Sequence, residues 1–388
     1  MNFINIKKSL KILCINLFLL YFFLYIGEIL INYNKNQLFQ KTRLYYLNKK
    51  IKKNSSKIYL NFGSYKLLDN LNLNNLPLSG YNQAKILLCL NEYNKPIYYN
   101  SDKNGFNNEI YQEQNDILLI GDSYVQGMCV KNSENFNGQF KKFDFNTTSL
   151  GVAGNGPLLE YATFKEFKSQ YKFKKLILFI TPDNDFYDLS NEINNKILIN
   201  YLLNKNFLQD LSNKDKQNEK KNILNEYFNN KTKRFANDFL SVYHFNLKEI
   251  GNLIENVFSK KIKEDYFYLQ NEKIDEVFFE IIKHFNDYLT YQNIDFYIVF
   301  NSVTPNILYP SNLESRKYKK LLDIKVSKIK ELLDENQIKY LDYTQFLLKN
   351  YNKNNINFVF KKINNRWDHY TEKGYYTLTS NIVKLISN

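Results

Sequence analysis

Ser123 stands in Gly121-Asp122-Ser123-Tyr124, directly after the apolar run Ile117-Leu118-Leu119-Ile120. A short buried strand that breaks at Gly-Asp-Ser brings a hydroxyl to the carboxyl edge of a sheet, where open α/β sheets bind ligands. A serine there can serve as a nucleophile, its own backbone N–H facing the group it attacks. Ester chemistry by such a serine also needs a base and preorganised oxyanion donors. The chain has only three histidines. His244 and His284 fall in helical patterns beside Phe245 and Phe285 and read as structural. His369 lies in Arg366-Trp367-Asp368-His369-Tyr370-Thr371-Glu372-Lys373-Gly374-Tyr375, read as a loop that opens the final helix and returns to the same edge. Donors are available in two further loops. Repeated glycines in Gly151-Val152-Ala153-Gly154-Asn155-Gly156-Pro157 allow close backbone approach, and Asn184 in Thr181-Pro182-Asp183-Asn184-Asp185 can donate a side-chain N–H. Singly, each loop reads as an ordinary tight connection, turn or cap.

Taken in order, the four segments resemble the blocks of the SGNH (GDSL-type) hydrolase superfamily, over roughly residues 95 to 388. GDSY matches the first block, SLGVAGNG the second, PDND the third and DHYTEKG the fourth, with NSDKNGFNN upstream similar to the lead-in of membrane-anchored members. The resemblance implies Ser123 as nucleophile, His369 as base, and Ser123, Gly154 and Asn184 as the oxyanion hole. It implies an ester hydrolase or acyltransferase with an acyl-enzyme on Ser123, and no metal or organic cofactor. Two departures stand out. Pro182 replaces the usual glycine two before the asparagine, and Asp368 is adjacent to His369 rather than two or three residues before it. Neighbouring side chains in an extended segment point opposite ways. Asp368 is the candidate acid by its place in the fourth block, and this geometry makes a backbone carbonyl or Asp342 the alternative orienter of the imidazole. Asp122 is expected to hold the turn.

The elements that position these residues follow from periodicity. Apolar runs at Ile117–Ile120, Leu176–Ile180, Phe296–Phe300 and Ile338–Leu341, with a weaker strand at Thr147–Leu150, alternate with helical spacing at Leu158–Phe167, Ile274–Leu289 and Tyr318–Leu333. Continuous apolar runs suit parallel strands buried on both faces, so the expected fold is a three-layer α/β/α domain, flavodoxin-like under the resemblance. It occupies residues 114–388, with a helical insertion at about 188–272 that reads equally as a lid or as a peripheral bundle. Residues 32–113 form an expected N-terminal extension with strand-like pieces at Ile58-Tyr59-Leu60, Ile86-Leu87-Leu88 and Ile97-Tyr98-Tyr99.

Residues 1–31 are expected to be a membrane anchor. Lys7, Lys8 and Lys11 precede the apolar stretch Ile12–Ile31, about the 20 residues that span a bilayer. The absence of a small-residue cleavage signal favours an uncleaved anchor, with the bulk of the chain outside the cytoplasm. Net charge is +14, but the lysines are dispersed, which argues against a nucleic-acid surface. Three cysteines are no disulfide framework and show no metal spacing. The expected partner is an acylated small molecule or glycan. Alternatives are an inactive SGNH-like module that binds glycan or serves assembly, and a peripheral binder of anionic polymers.

Overall fold

Four consecutive residues without exposure, Ile117–Ile120, form the second strand in the spatial order of the main sheet. Five parallel strands make up that sheet: β4 (Ile117–Ile120), β5 (Thr147–Ser149), β6 (Lys175–Ile180), β7 (Asp295–Phe300) and β8 (Lys339–Asp342), in the spatial order β5-β4-β6-β7-β8. Counted within the sheet this is 2-1-3-4-5, and the order reverses beside β4. Loops leaving β4 and β6 therefore diverge over the switch point at the carboxyl edge.

The strands are apolar on both sides because helices cover both. Phe136 of α2 (Phe136–Lys141) packs against Phe179 of β6 and edge-to-face on Tyr375 of α9 (Glu372–Ser387). On the opposite face, Phe285 of α6 (Glu272–Tyr291) packs against Phe296 of β7 and against Phe164 of α3 (Pro157–Phe167). Phe296 is in register with Leu176, three residues from Phe179, and the period of two puts them on opposite faces. Helices α4 (Pro182–Glu192), α5 (Lys196–Leu203), α7 (Leu313–Glu335) and α8 (Tyr343–Asn350) complete the layers, while α1 (Ser123–Gln126) is a single turn after β4.

The computed structural model describes residues 15–27, 58–61, 63, 75–90, 95–109, 111–226, 266–363 and 366–387. The chain divides into two units, one made of Met1–Ser56 with Phe228–Asp265, the other of Lys57–Tyr227 with Tyr266–Asn388. In the first, residues 15–27 are helical, with Leu17, Phe18 and Phe23 exposed. The expected anchor Ile12–Ile31 extends beyond the described residues. Among the described residues no helix is long and apolar enough to cross a membrane. His244 and the central part of the insertion lie outside the described residues.

The N-terminal extension braces the main sheet. β1 (Ile58–Leu60), β2 (Lys85–Leu90) and β3 (Pro96–Asn100) form a separate sheet. The segment after β3 is stitched to both site-bearing elements. Asp102 Oδ1 accepts the backbone N–H groups of Asn104, Gly105 and Phe106, and its other oxygen accepts from Asn108 Nδ2. Asn108 also exchanges two hydrogen bonds with the Ser149 backbone, and Asn107 Nδ2 donates to the carbonyl of Gln126 at the end of α1. From the insertion, the helix at residues 214–226 docks on the same extension. Buried Lys220 donates to Ser79 Oγ at 2.9 Å and to the Asn104 carbonyl at 3.2 Å.

Two features differ from the sequence expectation. Cys89 of β2 and Cys129, just beyond α1, form a disulfide. Their spacing carried no signal because the partners meet only when the extension folds back on the sheet. The segment around His369 is not a loop. It is β10 (Arg366–Tyr370), paired antiparallel with β9 (Phe360–Ile363). The disulfide closes a loop of 40 residues, worth about 4 kcal/mol in the chain-entropy account. Replacing both cysteines by serine should lower the unfolding free energy in a denaturant titration by roughly that amount, with no change in far-UV circular dichroism of the native state.

Candidate active site

Ser123 opens the turn that follows β4. Asp122 caps it, accepting the Tyr124 N–H on Oδ1 at 2.9 Å. The turn is tight because little space surrounds it. A Cβ on Gly121 would lie 2.5 Å from Val125 Cγ2, so only glycine joins strand to helix there. Asp122 also does more than hold the turn. Its Oδ2 accepts from Asn184 Nδ2 at 3.2 Å, which links the first loop to the third. Burial pushes the Asp122 carboxyl above the usual carboxylate range, against the hydrogen bonds from Tyr124 and Asn184 and the charge of His369.

Pro182 does not disturb the third loop. It is the first helical residue of α4, where its missing N–H costs nothing and its fixed φ suits the helix. Asn184 therefore sits in the first turn of a helix that starts immediately after β6. Asp185 secures that start by accepting the Thr181 N–H on Oδ2 at 2.7 Å. In the second loop, Gly154 has φ +76°, a left-handed conformation open to glycine without strain. Its neighbour Ala153 is bridged to Gly63 of the N-terminal extension.

His369 Nε2 is 2.8 Å from Ser123 Oγ. Its Nδ1 is hydrogen-bonded to Asp368 Oδ1, which also accepts the His369 backbone N–H at 2.8 Å. Adjacent residues achieve this because β10 is bulged. Trp367 pairs with Lys362 and Tyr370 with Phe360, so three steps on β10 oppose two on β9. The extra residue breaks the alternation and re-aims Asp368 and His369 toward one another. Asp342, the alternative orienter, is engaged elsewhere: it caps α8 through Gln345 N and pairs with Lys330. With Asp368 accepting at Nδ1, the tautomer leaves Nε2 free to accept the Ser123 proton. The Tyr124 ring packs on the imidazole at 4.7 Å between centroids.

Burial alone would raise the Asp368 carboxyl. The hydrogen bond and charge of His369, the His369 backbone N–H and the Lys361 ammonium outweigh it, and the group lies below its ordinary range. Lys361 had no signal in the sequence. It reaches the site only through the β9–β10 pairing, where it also donates to the Cys129 carbonyl. His284 is held on α6 by Tyr161 OH at 3.0 Å and Glu280 at 3.8 Å, a structural setting as expected from its helical surroundings. Among the described residues no cluster of His, Cys, Asp and Glu is arranged to hold a metal ion.

Spacing did not reveal a group of carboxyls near the loops that carry Gly154 and Asn184, since they come from two helices. Glu192 of α4 caps α3, accepting the N–H groups of Gly156 and Leu158 at 2.7 and 2.9 Å, with Leu159 further off. Glu160 is fully buried, and burial with the charges of Asp122, Glu192 and Asp188 drives it well above its ordinary range. Burial likewise raises Asp183 to about 6, Asp188 to about 7 and Glu192 to about 8.

No family model and no curated protein matches the chain. Among solved structures, it is similar to a protein assigned to a lipolytic G-D-S-L family from Desulfitobacterium hafniense DCB-2. That match has 11% identity and a TM-score of 0.38, over 71% of this chain and 99% of that one. A GDSL-like lipase from Bacteroides thetaiotaomicron VPI-5482 is similar over 71% of this chain and 88% of its own, with 12% identity and a TM-score of 0.34. The chemistry of the site rests on its own geometry.

The raised carboxyls link stability to pH. An acid whose folded pKa exceeds its unfolded value stabilises the fold fully below the unfolded pKa, and that contribution is lost as pH rises through the folded pKa. For Asp188 the window runs from its ordinary value of 3.8 to about 7. Asp188→Asn removes the titration, so its melting temperature relative to the native chain should climb between pH 4 and pH 8. Thermal scans at each pH measure it, and a constant difference would contradict the assignment.

Proposed function

We propose that this chain is a serine ester hydrolase of the SGNH type, acting through an acyl-enzyme on Ser123. The observation that carries the reading is the hydrogen-bonded run from Ser123 Oγ through both nitrogens of His369 to Asp368. It unites residues 246 positions apart in the order nucleophile, base and orienter. In this reading His369 Nε2 takes the Ser123 proton as Oγ attacks the acyl carbonyl. The negative charge that develops on the carbonyl oxygen is met by the N–H groups of Ser123 and Gly154 and by Asn184 Nδ2. One Asn184 N–H points to Asp122, and the amide has a second to give. Collapse expels the alcohol, which receives the proton from His369. Water then repeats the sequence in reverse, or a hydroxyl of a second molecule accepts the acyl group.

The substrate is proposed to be an acylated glycan or another ester, reached outside the reducing cytosol. Supporting the location is the Cys89–Cys129 disulfide, since such bonds persist in oxidising compartments. The apolar stretch Ile12–Ile31 would tether the protein to a membrane there, consistent with the exposed Leu17, Phe18 and Phe23 on its described part. The alternative of an inactive binding module drew on the altered third and fourth blocks. The helical setting of Pro182 and the β10 bulge support the catalytic reading over it.

A fluorophosphonate probe tests the reading on the full chain. Labelling should occur on native protein and be absent in Ser123→Ala. Hydrolysis of a p-nitrophenyl ester should fall about 10²–10³-fold in kcat for Asn184→Ala, the usual loss for one oxyanion donor. Labelling that survives in Ser123→Ala would exclude Ser123 as nucleophile.

A further inference from the structure

We propose that the cavity between the N-terminal extension and the insertion helix at residues 214–226 is a binding site for an acidic saccharide. The first ground is positive charge without an acid to answer it. The cavity, about 410 Å3, is lined by Lys85 of β2 and by Lys220 and Lys221 of the helix, and by no carboxylate among the described residues. Lys220 is 3% exposed, and its ammonium donates to Ser79 Oγ, Asn82 Oδ1 and the Asn104 carbonyl, all of them neutral. A lysine so deeply buried ordinarily has a carboxylate against it. Asp102, whose charge favours the protonated lysine, instead gives its oxygens to Asn104, Gly105, Phe106 and Asn108. Burial accordingly brings Lys220 down to about 7. An anion in the cavity would supply the missing partner. Lys85 and Lys221 are exposed and have no ion pair among the described residues, so they add to the same field.

The rest of the lining separates a saccharide from a simple anion. An inorganic anion needs donors only. A sugar hydroxyl both donates and accepts, and an amide side chain offers it both functions. Gln83, Gln217 and Asn218 line the cavity. Gln217 spends an N–H on the Ser212 carbonyl and keeps its own oxygen free of a described partner, while Gln83 and Asn218 are exposed with no side-chain hydrogen bond among the described residues. Tyr59, stacked on Tyr81 with ring centroids 3.9 Å apart, adds an apolar wall on which the C–H face of a pyranose can pack. Apolar walls with a few placed polar groups, in a volume of roughly 300–1,000 Å3, are the usual form of a small-molecule site. None of these residues belongs to the Ser123 site, so the inference stands apart from the hydrolase reading and occupancy can be measured without turnover.

Isothermal titration of the full chain carrying Ser123→Ala is the test, with trigalacturonate as probe, galactotriose as the neutral sugar and inorganic phosphate as the simple anion. Trigalacturonate should bind, and the other two should bind at least about tenfold more weakly, the usual worth of a hydrogen bond to a charged group. The exposed pair Lys85→Gln and Lys221→Gln, made together, should weaken trigalacturonate on the order of tenfold and leave the fold intact. The same loss of charge on α7, Lys317→Gln with Lys320→Gln, should leave its affinity unchanged. No binding of trigalacturonate overturns the proposal. Equal weakening in the two double variants also overturns it, since diffuse attraction to a chain of net charge +14 would then account for the binding. Galactotriose or phosphate binding as tightly as trigalacturonate would overturn it too, because hydroxyls or charge alone would then suffice.

Discussion

The hydrogen bond between Ser123 Oγ and His369 Nε2 spans 246 positions of chain, and most of the architecture can be understood as what makes it geometrically obligatory. Ser123 is delivered by a strand buried on both faces, so its position is set by the sheet. His369 is delivered by a hairpin outside that sheet, so its position is set by packing. Gly374 and Tyr375, at the start of α9, supply the packing: Tyr375 OH donates to the Tyr124 carbonyl one residue after Ser123, and Gly374 lies against the Val359 carbonyl. The histidine and the serine thus share neighbours, and neither can shift far without disturbing the other.

Asp122 and the carboxyls around it pose a second constraint. A fold that buries Asp122, Glu160, Asp185 and Glu192 together accepts a cost in desolvation and mutual repulsion. What offsets part of that cost is visible in their partners. Asp122 orders the turn and Asn184, Asp185 starts α4, and Glu192 starts α3. The helix N-termini that carry the donor loops are capped from within the same acidic group. That electrostatic cost is concentrated around Asp122 and the starts of α3 and α4, the first following the loop that carries Gly154 and the second carrying Asn184.

The N-terminal extension matters for the same reason. Asn61 and Gln126 exchange a pair of amide hydrogen bonds at 2.9 and 3.0 Å, and Asn107 and Asn108 tie α1 to β5. The single turn α1 is far too short to be stable alone, so these contacts add to those it receives from Ser149 and Tyr375. The Cys89–Cys129 disulfide closes the same junction covalently. A segment that reads as an appendage in one dimension is a brace for the turn that carries Ser123 in three.

How much of this was legible beforehand follows from the range of the interactions. The strands from Ile117 to Leu341 and the long helices were readable because apolar periodicity is local and each element carries its own pattern. Ser123, Gly154, Asn184 and His369 were readable as a set because their order along the chain and the glycine and proline chemistry of their turns are local too. Asp368 was half legible: its type was right, but its adjacency to His369 argued against it until the bulge appeared. A bulge is a property of pairing between β9 and β10, and no residue in Arg366–Tyr370 announces it. Lys361, the disulfide and the buried carboxyls arise from contacts between segments far apart in sequence. Composition and spacing are blind to such contacts. The sequence by itself therefore determined the parallel sheet, the loops at its carboxyl edge and the types of group they carry. Only the tertiary structure decided which acid faces the histidine and what holds that acid, because those answers depend on strand register and on charge brought close by folding.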